Sequence, residues 1–87
     1  MQYPVIIEKT KNSRAAYLVT IPDFYAYTQG RTVKEAKRAA KDLIEMLVYD
    51  MQKDGEDLPM PGSVSGPPFI SADAILTSVV VEFSKYN

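Results

Sequence analysis

The sequence predicts an α+β domain of β-β-β-α-β order, with a mixed four-stranded sheet ordered 3-2-1-4 and one helix on one face. Three observations carry this expectation. β-Branched runs lie near both ends of the chain, and such residues favour strands. Between them a long capped stretch repeats its apolar residues every three or four positions, the period of an amphipathic helix. Eighty-seven residues suffice for one core and no more, so 1–87 reads as a single domain.

The first strand is expected over Tyr3–Thr10, which holds Val5, Ile6, Ile7 and Thr10 and runs into the polar turn cluster Lys11-Asn12-Ser13. Arg14–Ile21 follows, with Tyr17, Val19 and Ile21 on one face. So short a connection makes the pair an antiparallel hairpin. Pro22 lacks an N–H for the ladder and breaks the second strand. Tyr25–Gln29 then forms a short third strand, ended by Gly30.

The helix is expected from Val33 to Lys53. Thr32 and Glu35 form a capping box, in which each side chain satisfies a main-chain N–H left unpaired at the helix start. Val33, Ala36, Ala40, Leu43, Ile44, Leu47, Val48 and Met51 share one stripe. Lys34, Arg38, Asp42 and Glu45 lie opposite, and Gly55 marks the stop.

Residues 56–73 show neither period. They hold four of the six prolines, Pro59, Pro61, Pro67 and Pro68, along with Gly62 and Gly66. Connections this long are either mobile surface loops or functional segments. The second possibility is an extended partner-binding segment anchored by Phe69. The last strand spans Ile75–Phe83. A helix before it favours a crossover that brings it in parallel, beside the free edge of the first strand. One helix covers one sheet face, so the other keeps apolar members. In one phase these are Ile6, Leu18, Leu76 and Val80; in the other, Tyr17, Val19, Val79 and Val81. Such a face marks an association surface.

Composition removes most chemistry. The chain has no Cys and no His, which excludes disulfides, thiol nucleophiles, the usual zinc sites and histidine acid–base catalysis. Glu8, Asp23, Asp42, Glu45 and Glu82 are scattered rather than convergent, so no metal site is expected. No glycine-rich loop opens a helix to cradle phosphate. No catalytic residue and no cofactor are expected. A net charge of −1 argues against a protein built chiefly to grip phosphates or anionic membranes. Neither a membrane span nor a signal peptide is apparent, so the expected location is cytoplasmic.

Charge is nonetheless uneven along the helix. Arg31, Lys34, Lys37, Arg38 and Lys41 crowd its start, where the macrodipole favours anions, and Asp50, Asp54, Glu56 and Asp57 gather near its end. A solvated face accounts for the basic stripe of Lys34, Lys37, Arg38 and Lys41. The alternative is a module that uses this face to meet an acidic partner or nucleic acid.

The ordered landmarks resemble the HicB antitoxins. They are Tyr3-Pro4-Val5-Ile6-Ile7-Glu8-Lys9, a Tyr17-bearing second strand and Ile21-Pro22-Asp23-Phe24. Next come Tyr27-Thr28-Gln29-Gly30-Arg31-Thr32-Val33-Lys34-Glu35-Ala36, Asp54-Gly55-Glu56 and Leu58-Pro59. The likeness covers about residues 3–60. It implies a partial ribonuclease-H-like fold and a cytoplasmic protein that silences HicA, a small toxin that cleaves mRNA with a histidine. It also implies a homodimer or higher oligomer. Two positions depart from the pattern: Phe24-Tyr25-Ala26-Tyr27 replaces a Pro-Gly-Cys-like step, and the helix start is basic where relatives are acidic. A basic toxin is not drawn to that basic face, which leaves the helix's acidic end or the sheet. Many relatives carry a C-terminal DNA-binding segment; this chain ends at Asn87, so no DNA binding by it alone is expected.

The expected function is therefore that of a non-enzymatic antitoxin that occludes a HicA-like toxin. Its candidate contacts are Asp23, Phe24, Tyr25, Tyr27 and Gln29.

Overall fold

The computed structural model describes residues 1–11 and 16–82. The elements are β1 (Gln2–Lys9), β2 (Tyr17–Ile21), a single 3₁₀ turn (Pro22–Phe24), β3 (Ala26–Gly30), α1 (Val33–Lys53) and β4 (Ile75–Val80). The hairpin turn, the expected start of β2 at Arg14 and the expected end of β4 at Phe83 lie outside the described residues.

α1 spans the residues its period predicts, and both ends show why. The Thr32 hydroxyl oxygen accepts the Glu35 N–H at 3.0 Å. The Glu35 carboxylate accepts the Arg31 N–H at 3.0 Å, one residue earlier than the usual capping box. At the other end Gly55 takes φ +72°. Its N–H donates to Gln52 at 3.2 Å while that of Glu56 donates to Met51 at 2.8 Å, the paired bonds of a Schellman stop.

The sheet order is β3-β2-β1-β4, as expected, but β4 is not parallel to β1. All three pairings are antiparallel, so the sheet is not mixed. The connection from α1 is responsible, because it travels the length of the sheet before β4 begins. It starts at the N-terminal end of β1, where the Tyr3 hydroxyl donates to the Pro59 carbonyl at 2.9 Å. It finishes at the other end, where the Glu8 carboxylate accepts the Ser71 N–H at 2.9 Å and its hydroxyl at 2.8 Å. The chain therefore enters β4 opposite Ile7 and leaves opposite Gln2, reversed relative to a direct helical return.

The ladders sort the side chains by face, since successive residues alternate. Tyr3, Val5, Ile7, Val19, Ile21 and Val79 face α1 and pack against Ala36, Ala40, Ile44 and Val48. Each fully buried Ile or Val contributes roughly 1.5–3 kcal/mol. α1 lies chiefly over β3 and β2, and Gly30 sets how closely. A Cβ there would stand 2.5 Å from the Ala36 nitrogen.

Candidate functional site

The second face of the sheet carries Ile6, Leu18, Thr20, Tyr27, Gln29, Leu76 and Val80, the first of the two phases expected from the sequence. The Pro-rich connection crosses it. Gly66 sits over Ile6, so that a Cβ would be 3.2 Å from Ile6 Cδ1, and Ile6 and Thr20 are buried as a result. Leu18, Tyr27, Leu76 and Val80 stay exposed. Cover is partial, and apolar surface remains on both sides of the strap.

Asp23 holds that strap. Its carboxylate accepts the N–H of Gly62 at 2.8 Å and of Val64 at 3.1 Å, and the residue is only 4% exposed. A buried carboxylate needs such donors. Asp23 is therefore a clamp within the domain, buried beneath the surface a partner could reach. Phe24 is likewise half-buried, its ring edge-on to Tyr3 at 4.8 Å. Burial, together with the neighbouring Asp23 charge, raises the Tyr3 phenol above its ordinary value. Tyr3, Asp23 and Glu8 fasten the loop to the domain, and Phe69 stands 88% exposed.

The turn that buries Asp23 turns Tyr25 outward. Its N–H donates to the Pro22 carbonyl at 3.0 Å, and its φ of 51° lies in the left-handed region. That conformation is costly for a bulky residue and concentrates at functional sites. Tyr25 is 80% exposed and Tyr27 66%. Together they line a cleft of ≈ 190 Å³ with Thr20, Val64, Gly66 and Pro67. Gln29 continues the exposed row along β3. Of the five candidate contacts, the structure thus brings Tyr25, Tyr27 and Gln29 to one exposed row, while the buried Asp23 and half-buried Phe24 line a neighbouring open pocket with Tyr25, Leu47 and Met51.

The basic stripe forms one wall of a separate open groove of ≈ 640 Å³. Lys34, Lys37, Arg38 and Lys41 share that wall with Asp42 and Glu45, and Ser78, Val79 and Val80 form the other. Among the described residues no three of His, Cys, Asp and Glu converge as a metal site, and no helix is long and apolar enough to cross a membrane. The exposed surfaces are aromatic and apolar on the sheet face, cationic along the start of α1, and acidic at its end, where Asp50, Asp54, Glu56 and Asp57 are all exposed.

A sequence profile described as HicB_like antitoxin of bacterial toxin-antitoxin system matches residues 3–86. The chain belongs to this family. Antitoxin HicB 1 of Photorhabdus laumondii subsp. laumondii is 31% identical over 99% of the chain. The chain spans about half of that relative, 54% of its length. Among solved structures, a chain of a toxin–antitoxin complex from Streptococcus pneumoniae superposes with a TM-score of 0.77 at 25% identity. That match covers 94% of this chain and 69% of the other. The N-terminal domain of Burkholderia pseudomallei antitoxin HicB gives a TM-score of 0.72 at 25% identity, covering 95% of this chain and all of that one. A chain of the HicA3 and HicB3 toxin–antitoxin complex shares the fold, with a TM-score of 0.63 at 22% identity and coverage of 94% and 99%.

Within this HicB-like domain, two features of the site had no local signal in the sequence. One is the bond between Glu8 and Ser71, 63 residues apart. The other is the seat of Gly66 on Ile6. Both join a strand to an aperiodic loop, where neither spacing nor propensity specifies a partner.

Proposed function

We propose that this domain is a non-enzymatic antitoxin that binds a HicA-type, mRNA-cleaving toxin in the cytoplasm and neutralises it by occlusion. The contact surface in this reading is the sheet face opposite α1, at the corner formed by Tyr25, Tyr27 and Gln29. The observation that carries it is the outward projection of Tyr25 from a left-handed turn and of Tyr27 from β3, beside apolar surface that the strap leaves open. Tyrosine is the kind of residue that dominates interface energetics, because it buries a large rigid area and retains a polar tip. Inhibition of this kind needs no histidine from the antitoxin, since covering the toxin's RNA-binding surface or catalytic residue is enough. The S. pneumoniae chain of similar fold belongs to a toxin–antitoxin complex, which supports a toxin as the partner here. Self-association into a dimer or higher oligomer is part of the same reading.

Co-expression with the small open reading frame adjoining its gene tests this. The expected result is that the small protein arrests growth alone, and that this chain restores growth and co-purifies with it. A harmless product that does not co-purify would sink the proposal.

A further inference from the structure

β4 forms one edge of the sheet, and among the described residues no strand pairs with its outer side. Ile75–Val80 reads Ile-Leu-Thr-Ser-Val-Val, with none of the charges or prolines that usually blunt an exposed edge. The direction of its free main-chain groups follows from one pair. The Val81 N–H donates to the Met1 carbonyl at 2.8 Å, and the Met1 amino group donates to the Val81 carbonyl at 2.9 Å. Such mutually bonded pairs alternate along an antiparallel ladder. With Gln2 opposite Val80, residues 79, 77 and 75 therefore bond inward to β1. Leu76, Ser78 and Val80 present their N–H and C=O groups outward.

We propose that this edge accepts an extended segment of a partner protein as a fifth strand, and that the segment alternates acidic and apolar side chains. A strand added here places every second side chain over the groove walled by Lys34, Lys37, Arg38 and Lys41, where carboxylates are favoured. Its other side chains fall beside the exposed Leu76 and Val80 on the open face, where apolar cross-strand neighbours are favoured. A second copy of this chain matches the apolar side only, because β4 holds no carboxylate to lay along the cations. Nucleic acid matches the cations only. Its phosphates accept hydrogen bonds but do not donate, and they would meet the outward Ser78 and Val80 carbonyls. Peptide main chain both donates and accepts, as the edge does. This surface is distinct from the proposed toxin-binding corner, which lies on β3 at the opposite edge.

The test is a titration of the full chain at low salt, followed by amide resonances, with the heptapeptide Glu-Val-Glu-Leu-Glu-Val-Glu. Its counterpart Lys-Val-Lys-Leu-Lys-Val-Lys and a single-stranded RNA oligomer serve as comparison probes. The expected result is saturable binding of the acidic peptide, with shifts centred on the Leu76, Ser78 and Val80 amides. Binding falls on the order of 10-fold in Arg38→Glu/Lys41→Glu, the equivalent of two weak ion pairs. It falls also in Ser78→Pro, which removes an outward N–H, and in Leu76→Glu, a substitution at an exposed position that spares the fold should Ser78→Pro unfold it. Absence of saturable acidic-peptide binding overturns the proposal, as does equal binding of the lysine peptide. So does a dimer that already protects the β4 amides before peptide is added, or RNA binding in place of peptide binding.

Discussion

The Asp23 carboxylate accepts the Gly62 N–H at 2.8 Å across 39 residues of chain. This bond fixes the start of the strap that crosses the open sheet face, and so determines how much of that face a partner can reach. Removing the carboxylate in Asp23→Ala breaks this bond and the one from Val64. The expected cost is about 2–3 kcal/mol, given the strength of bonds to charged acceptors. Residues 56–74 should also become sites of limited proteolysis. Denaturant unfolding and a thermolysin time course check both effects, and Asp23→Asn, which keeps an acceptor, should fall between.

Tyr3 gives a pH signature. Its phenol is held above the usual value of about 10, first by burial and then by Asp23. The unfolded chain therefore releases this proton at lower pH than the folded chain. The stability that follows is fully present below pH 10 or so and is lost as pH rises through the folded value. Wild type should lose stability above about pH 10 more steeply than Tyr3→Phe. Thermal melts of the two proteins from pH 8 to 11 measure the difference. Equal slopes would contradict the assignment.

Gly30 lies where β3 packs directly on the first turn of α1. Gly30→Ala puts a methyl group 2.5–2.9 Å from main-chain atoms of Glu35 and Ala36, which cannot rotate away. The expected destabilisation is about 1–3 kcal/mol, typical of overpacking. Gly66→Ala, which meets the tip of the Ile6 side chain at 3.2 Å and Pro22 Cγ only at 4.0 Å, should cost less. Urea midpoints of the two variants give the comparison.

Tyr25 separates stability from binding. Tyr25→Gly places the residue best suited to φ 51° at that position, so stability should hold or rise by up to about 1 kcal/mol. On the proposed reading, affinity for the toxin should fall, because the exposed ring is gone. Unfolding curves and a binding titration on the same sample distinguish this from a merely structural role.

These relationships differ in how far the sequence discloses them. The helix was legible to the residue because its signals are local: Thr32, Glu35, the apolar stripe and Gly55 lie within or beside it. Strand order followed from the hairpin and from the free edge it leaves. The direction of β4 did not follow, because it depends on where residues 54–74 travel. That path is set by Tyr3, Glu8 and Asp23 acting across 39 to 63 residues. The candidate contacts divide for the same reason. Tyr25 and Tyr27 could be recognised as aromatic residues in a short strand near a turn. The inward position of Asp23 appears only once Gly62 and Val64 are seen to donate to it.

The most direct test of the proposed function is the affinity between this domain and the product of the small open reading frame adjoining its gene, measured for wild type and for Tyr25→Ala/Tyr27→Ala with native folding verified for both. On the proposed reading, loss of these two aromatic contacts should weaken binding by about 2–4 kcal/mol, roughly 30- to 1,000-fold, with the proposed mRNA cleavage restored in parallel. Unchanged affinity in the folded double variant would show that the toxin docks elsewhere and would contradict the assignment of this face.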